Sequence, residues 1–157
     1  AFEVNHLYDY ESIDMEFNQE VDRVYATSNE VMSRFNKLSD ELTELRAGLR
    51  NTPGTSMEDL NAARTIALSL KQLGLLINGN RSLTKREVET ASSLGDVMGL
   101  LAWGAWNHRG APTGTMKNLL EDAKMMISDA QTQLDNINES VHALEAKAKA
   151  QGVPYWD

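Results

Sequence analysis

Cysteine is absent from this chain of 157 residues, which removes disulfides, thiolate metal sites and cysteine nucleophiles together. Proline occurs only three times, as Pro53, Pro112 and Pro154, and each falls in a turn cluster, so the long apolar-periodic stretches run without a helix breaker. Long apolar runs are also lacking. The longest, Val97 to Trp106, has ten residues, far below the roughly 20 that a membrane-spanning helix needs, and no direct membrane span is expected. No glycine-rich phosphate loop and no glycine-flanked nucleophile turn occurs, which leaves no familiar frame for nucleotide or acyl-transfer chemistry. Basic charge is scarce: 15 Lys and Arg stand against 23 Asp and Glu, a net charge of −8. A polyanion gains no net attraction, no basic stripe stands out along the sequence, and nucleic-acid binding is not expected. The chain begins at Ala1 rather than Met with no basic and apolar leader, which suggests a processed mature protein or an excised fragment; the lack of cysteine permits export without requiring it, and an exported product, periplasmic or extracellular, is expected.

Helical periodicity is what the sequence has in abundance. Phe17, Val21, Val24, Ser28, Val31, Phe35, Leu38, Leu42, Leu45 and Leu49 step by four and three, and so do Met116, Leu120, Ala123, Ile127, Ala130, Leu134, Ile137, Val141, Leu144 and Ala148. Each series is one continuous seam on a long helix. Asn51-Thr52-Pro53-Gly54 stops the first, since proline lacks the amide hydrogen and glycine relaxes the backbone. Thr55 and Glu58 have capping-box spacing for a second helix ending near Asn78, and Thr84 and Glu87 repeat it for a third. Gly110 to Gly114 separates the third from a fourth, which Gly152 and Pro154 end.

These signals predict one all-α domain over 1–157, with helices at about 12–50, 56–78, 84–107 and 115–151. Short connections imply an antiparallel four-helix bundle with two long outer helices, the first and fourth, and a shorter central hairpin. At 1.5 Å per residue the outer pair reach roughly 55 Å and the inner pair about 35 Å. An up-down-up-down path would then leave the start of helix one beside the end of helix four as a two-helix stalk. Its seam, carried by Phe17, Val21, Val24, Ile137, Val141 and Leu144, buries little by itself and is expected to meet a partner.

Candidate chemistry is sparse. Glu3 with His6 and Glu139 with His142 have the Glu-x-x-His spacing of di-metal carboxylate bundles, yet the first pair precedes the long helix and two further inward glutamates are required. Such spacing arises by chance among 23 acidic residues. His108 follows the third helix with no nucleophile or orienting acid near it in sequence. No catalytic residue, metal site or cofactor is assigned. Trp103, Trp106, Tyr155 and Trp156 are the large amphipathic residues suited to interface anchoring, or otherwise to capping the bundle ends.

A Leu-rich helix, the turn Ala111-Pro112-Thr113, a long amphipathic helix and the tail Val153-Pro154-Tyr155-Trp156 follow one another in that order. From about Leu94 to Asp157 this resembles the helical C-terminal region of bacterial sortilin-like β-propeller proteins, often labelled glycosyl hydrolases. The resemblance implies a helical module beside β-domains, and since the propeller is missing it carries over no catalytic residue. The expected function is a non-catalytic structural or assembly module that packs onto other subunits or onto copies of itself through helix seams and aromatic ends. The alternative is a sensor-type bundle that binds a ligand or metal between helices two and three, where Gly74, Gly95 and Gly99 reduce side-chain volume.

Overall fold

The computed structural model describes residues 15–80, 83, 86, 91–108 and 110–154. The two seams form the helices they predict: α1 covers Met15–Asn51 and α4 covers Gly114–Ala150, 37 residues each. Between them lie α2, Met57–Asn78, of 22 residues, and α3, Leu94–Asn107, of 14 residues. No strand occurs among the described residues.

Local side-chain chemistry decides where the inner helices begin. The Ser56 hydroxyl accepts the Asp59 amide at 3.1 Å and donates to the Asp59 carboxylate at 2.6 Å, so the cap of α2 sits one residue beyond the expected Thr55 and Glu58. Thr55 is engaged in the preceding turn, where its hydroxyl donates to the Thr52 carbonyl at 2.9 Å. For α3 the capping box is Ser93 with Asp96. The Ser93 oxygen accepts the Asp96 amide at 3.2 Å, and the Asp96 carboxylate accepts the Ser93 amide at 2.9 Å. The helix expected from Thr84 therefore starts ten residues later, at Leu94; Thr84 and Glu87 lie outside the described residues. At the far end Gly152 adopts φ 75°, and the Val153 amide turns back to the Ala148 carbonyl at 3.0 Å. Gly152 and Pro154 thus end α4 as expected.

The path of the chain corrects the up-down-up-down expectation. Lys124 of α4 pairs with Glu20 of α1, and eleven residues farther along α4 Asp135 pairs with Arg34. Both partners advance together, so α1 and α4 run parallel. α2 returns against α1, with the Phe35 ring beside Gly74. α3 does not turn back from there. Gly79 at the end of α2 lies against Ser93, Gly95 lies against the Ile77 carbonyl, and at the other end of α3 Gly104 meets Met116 in the first turn of α4. Hence α2 and α3 descend one after the other, and their lengths of roughly 33 and 21 Å stack to match the roughly 55 Å of each outer helix.

Among the described residues the result is four long or medium helices in three columns, and α3 touches both α1 and α4. Among the described residues the seam is not left as an uncovered stalk. The physical reason is the apolar face of α3: Leu94, Val97, Met98 and Leu101 are all buried, and only a descending α3 brings them over the starts of α1 and α4. One continuous core results. Val31, Leu45, Leu73, Leu101, Leu134 and Val141 have almost no exposed surface.

Asp59 and Glu145 are acids that this core takes in among the described residues, and Asp59 is the deeper of the two. Its carboxylate accepts hydrogen bonds from Ser56 and from the Gln151 amide at 2.9 Å, tying the start of α2 to the end of α4. These bonds, Ser56 first, with Lys147 adding charge, hold it below the usual carboxylate range against the opposing cost of burial. A lowered folded pKa means a contribution that is complete above the unfolded value and is lost as pH falls through the folded one. Thermal melts carried from neutral into acid pH should show progressive destabilisation, shallower in Asp59→Asn than in the parent. An unchanged acid profile in that variant would refute the assignment.

Candidate interaction surface

α3 is the least charged helix, because Asp96 is its one ionisable residue and that carboxylate is occupied in the cap. One side of the helix faces the core. On the other side Leu100, Trp103 and Trp106 recur at helical spacing and are 57%, 69% and 88% exposed. An ordinary surface helix presents charge there. Gly99 lies on this outer side too, and a side chain built on it would meet open space. The end of α3 is held firmly: the Asn107 amide donates to the Trp103 carbonyl at 2.8 Å, and a His108 ring nitrogen lies 2.8 Å from the Ala111 carbonyl. The indoles are therefore displayed from a pinned helix end.

The other expected site residues fall elsewhere. Phe17, Val21, Val24, Ile137, Val141 and Leu144 are each at most 8% exposed, inside the core that α1, α4 and the inner column form. Their seam is covered by this chain's own helices, which removes the reason for expecting a partner on it. Tyr155 and Trp156 lie outside the described residues, as do Glu3 and His6. His142 pairs through Nδ1 with Glu145 at 3.0 Å, while Glu139 faces solvent. No group of three or more metal-ligating side chains occurs among the described residues. Of the small residues expected between helices two and three, Gly74 has the Phe35 ring within 3.0 Å of where a side chain would begin, whereas nothing lies within 4 Å of where one would begin at Gly99.

Two further features were not legible in sequence. The groove between α1 and α4 holds a hollow of about 200 Å³ bordered by Arg34, Lys37, Glu41 and His142, with Arg34 paired to Asp135 and Lys37 to Glu41. The groove between α1 and α2 gathers Arg46, Arg50, Arg64 and Lys71. These four are scattered along the sequence, and the one local signal is that each lacks an acid three or four residues away on its own helix.

Among family models, curated proteins and solved structures, nothing matches this chain. No helix among the described residues is long and apolar enough to cross a membrane. The surface is read from its own chemistry.

Proposed function

We propose that this chain is a non-catalytic docking module, exported and working as part of a larger assembly, whose outer α3 face packs onto protein surfaces including copies of itself. The observation that carries the reading is the pair Trp103 and Trp106, 69% and 88% exposed on a helix whose opposite side is core. Leaving two indoles in water is unfavourable by roughly 25 cal/mol per Å² of apolar surface, and Trp is the residue type most enriched at binding hot spots. The resemblance of Leu94–Asp157 to a helical region that sits beside β-domains supports the same role.

Area sets the expected strength. Burying both indoles removes about 300–500 Å² per copy, so two copies meeting through them would hide about 600–1,000 Å². That falls short of the roughly 1,200 Å² at which stable interfaces begin, and Leu100 must join the contact. Association between copies is therefore expected to be weak and concentration-dependent.

Sedimentation velocity over a wide concentration range tests this. The parent chain should sediment faster as concentration rises, whereas Trp103→Gln/Trp106→Gln should stay monomeric with an unchanged helical circular-dichroism signal, because neither indole supports the core. Identical concentration dependence in the two proteins would remove the α3 face from the interface. A parent that is monomeric throughout would overturn docking between copies.

A further inference from the structure

The groove between α1 and α2 differs in charge from the balanced groove between α1 and α4. Arg46 and Arg50 of α1 and Arg64 of α2 surround a hollow of about 390 Å³ floored by Leu60 and Ala63. Arg46 also borders a second hollow of about 170 Å³, where Lys71 stands beside Leu70. The two lie in line over about 10 Å, the rise of the helical residues from Arg64 to Lys71. No carboxylate lines either hollow.

None of these four cations forms an ion pair within the described residues. Local sequence is the reason. Arg46 has Leu42, Thr43, Leu49 and Arg50 three and four positions away; Arg64 has Leu60, Asn61, Ala67 and Leu68; Lys71 has Ala67, Leu68, Gly74 and Leu75. Neither helix can neutralise these particular cations by the usual i,i+3 or i,i+4 pairing. Antiparallel packing then brings them together, so a chain of net charge −8 carries one groove of the opposite sign. Their like charge favours an anion from outside.

We infer that this groove is a docking site for an acidic amphipathic segment of a partner protein. Its carboxylates meet Arg46, Arg50, Arg64 and Lys71, with the planar guanidiniums suited to two-pronged carboxylate pairing. Its apolar side lies on Leu60 and Leu70. A free phosphate or similar small anion would use the rim and leave this floor unfilled, while an elongated, apolar-floored groove suits a helix packed alongside at 8–10 Å. The groove lies at the opposite end of the bundle from Trp103 and Trp106, so this inference goes beyond the docking proposed above and stands or falls independently of it.

The test uses the full chain and a fluorescein-labelled peptide of roughly 14 residues, about 21 Å as a helix, with leucine at helical spacing and glutamate on both flanks. Fluorescence anisotropy should show saturable binding that weakens with added salt. Arg46→Gln/Arg64→Gln should weaken it roughly tenfold with a superimposable thermal melt, since glutamine keeps part of each aliphatic stem. Trp103→Gln/Trp106→Gln should leave it unchanged. No saturable binding, equal binding of the same peptide with lysine in place of glutamate, or an unaltered affinity in the arginine variant would overturn the inference. Equal binding of a polyglutamate of the same length, or displacement of the peptide by pyrophosphate, would show a site for bare anions and would also overturn it.

Discussion

Val141→Asp should leave the chain without a cooperative thermal transition and with most of its helical signal lost at room temperature. Val141 has no exposed surface and lies on α4 between Ile137 and Leu144, both in the core. An aspartate there must either ionise without a partner or take up a proton and remain an unsatisfied polar group. Uncompensated buried charge costs about 3–5 kcal/mol, and loss of the valine's own packing adds to it. Domains of this size are stable by about 5–15 kcal/mol, so the substitution consumes much or all of the margin. Ala143→Asp, two residues away on the exposed side of the same helix, should change stability by about 0.5 kcal/mol or less. In an uncovered two-helix stalk, where Val141 would be covered from one side only, the two substitutions would differ less. Circular dichroism against temperature on both variants therefore reads the three-column packing directly, and a cooperative melt in Val141→Asp close to that of the parent would contradict it.

Leu101→Ala should cost about 2–5 kcal/mol and should do so unevenly along the molecule. Leu101 has no exposed surface and belongs to α3, the short helix that touches both α1 and α4. Truncation leaves a cavity where the inner column covers the starts of the two long helices. The Lys124 pair with Glu20 is partly exposed, and pairs of this kind are worth at most about 1 kcal/mol. Hydrogen exchange in Leu101→Ala should therefore accelerate most at amides of Phe17 to Val24 and in the first turns of α4. The end holding Leu45, Leu49 and Leu73 should keep more of its protection. If α3 lay instead against the end of α1, as an up-down-up-down path requires, the accelerated amides would be those around Leu45. Uniform acceleration throughout would mean that the bundle opens as one unit.

Much of the helical content was legible because periodicity reports burial. Every α4 position in the predicted seam, from Met116 to Ala148, is buried. In α1 the exceptions are Ser28 and Phe35, which are half-buried at the edges of the seam, and Phe35 spends its ring on Gly74. Caps were less legible, because Thr-x-x-Glu and Ser-x-x-Asp satisfy the same backbone donors. At α2 both occur one residue apart, and turn geometry chose the second. The start of α3 shifted farther, because the Ser93 and Asp96 box caps the helix at Leu94.

The candidate sites divide along the same line. Trp103 and Trp106 were identifiable because an apolar stretch that is hydrophobic all round must leave one side unpaired wherever only one side meets the core. The stalk residues were misread for a definite reason. A seam tells which side of a helix is buried but carries no sign, so parallel and antiparallel neighbours bury the same residues equally well. Sequence by itself determined the four helices of the described residues, two of them long, with the faces that enter the core and the apolar helix among them that keeps a face outside. Only the tertiary structure decided that α3 descends after α2, that α1 and α4 run parallel, and that four scattered cations share one groove. Those outcomes depend on pairs such as Glu20 with Lys124 and Arg34 with Asp135, more than 100 residues apart, and chain direction at such separations is set by packing in space rather than by spacing along a helix.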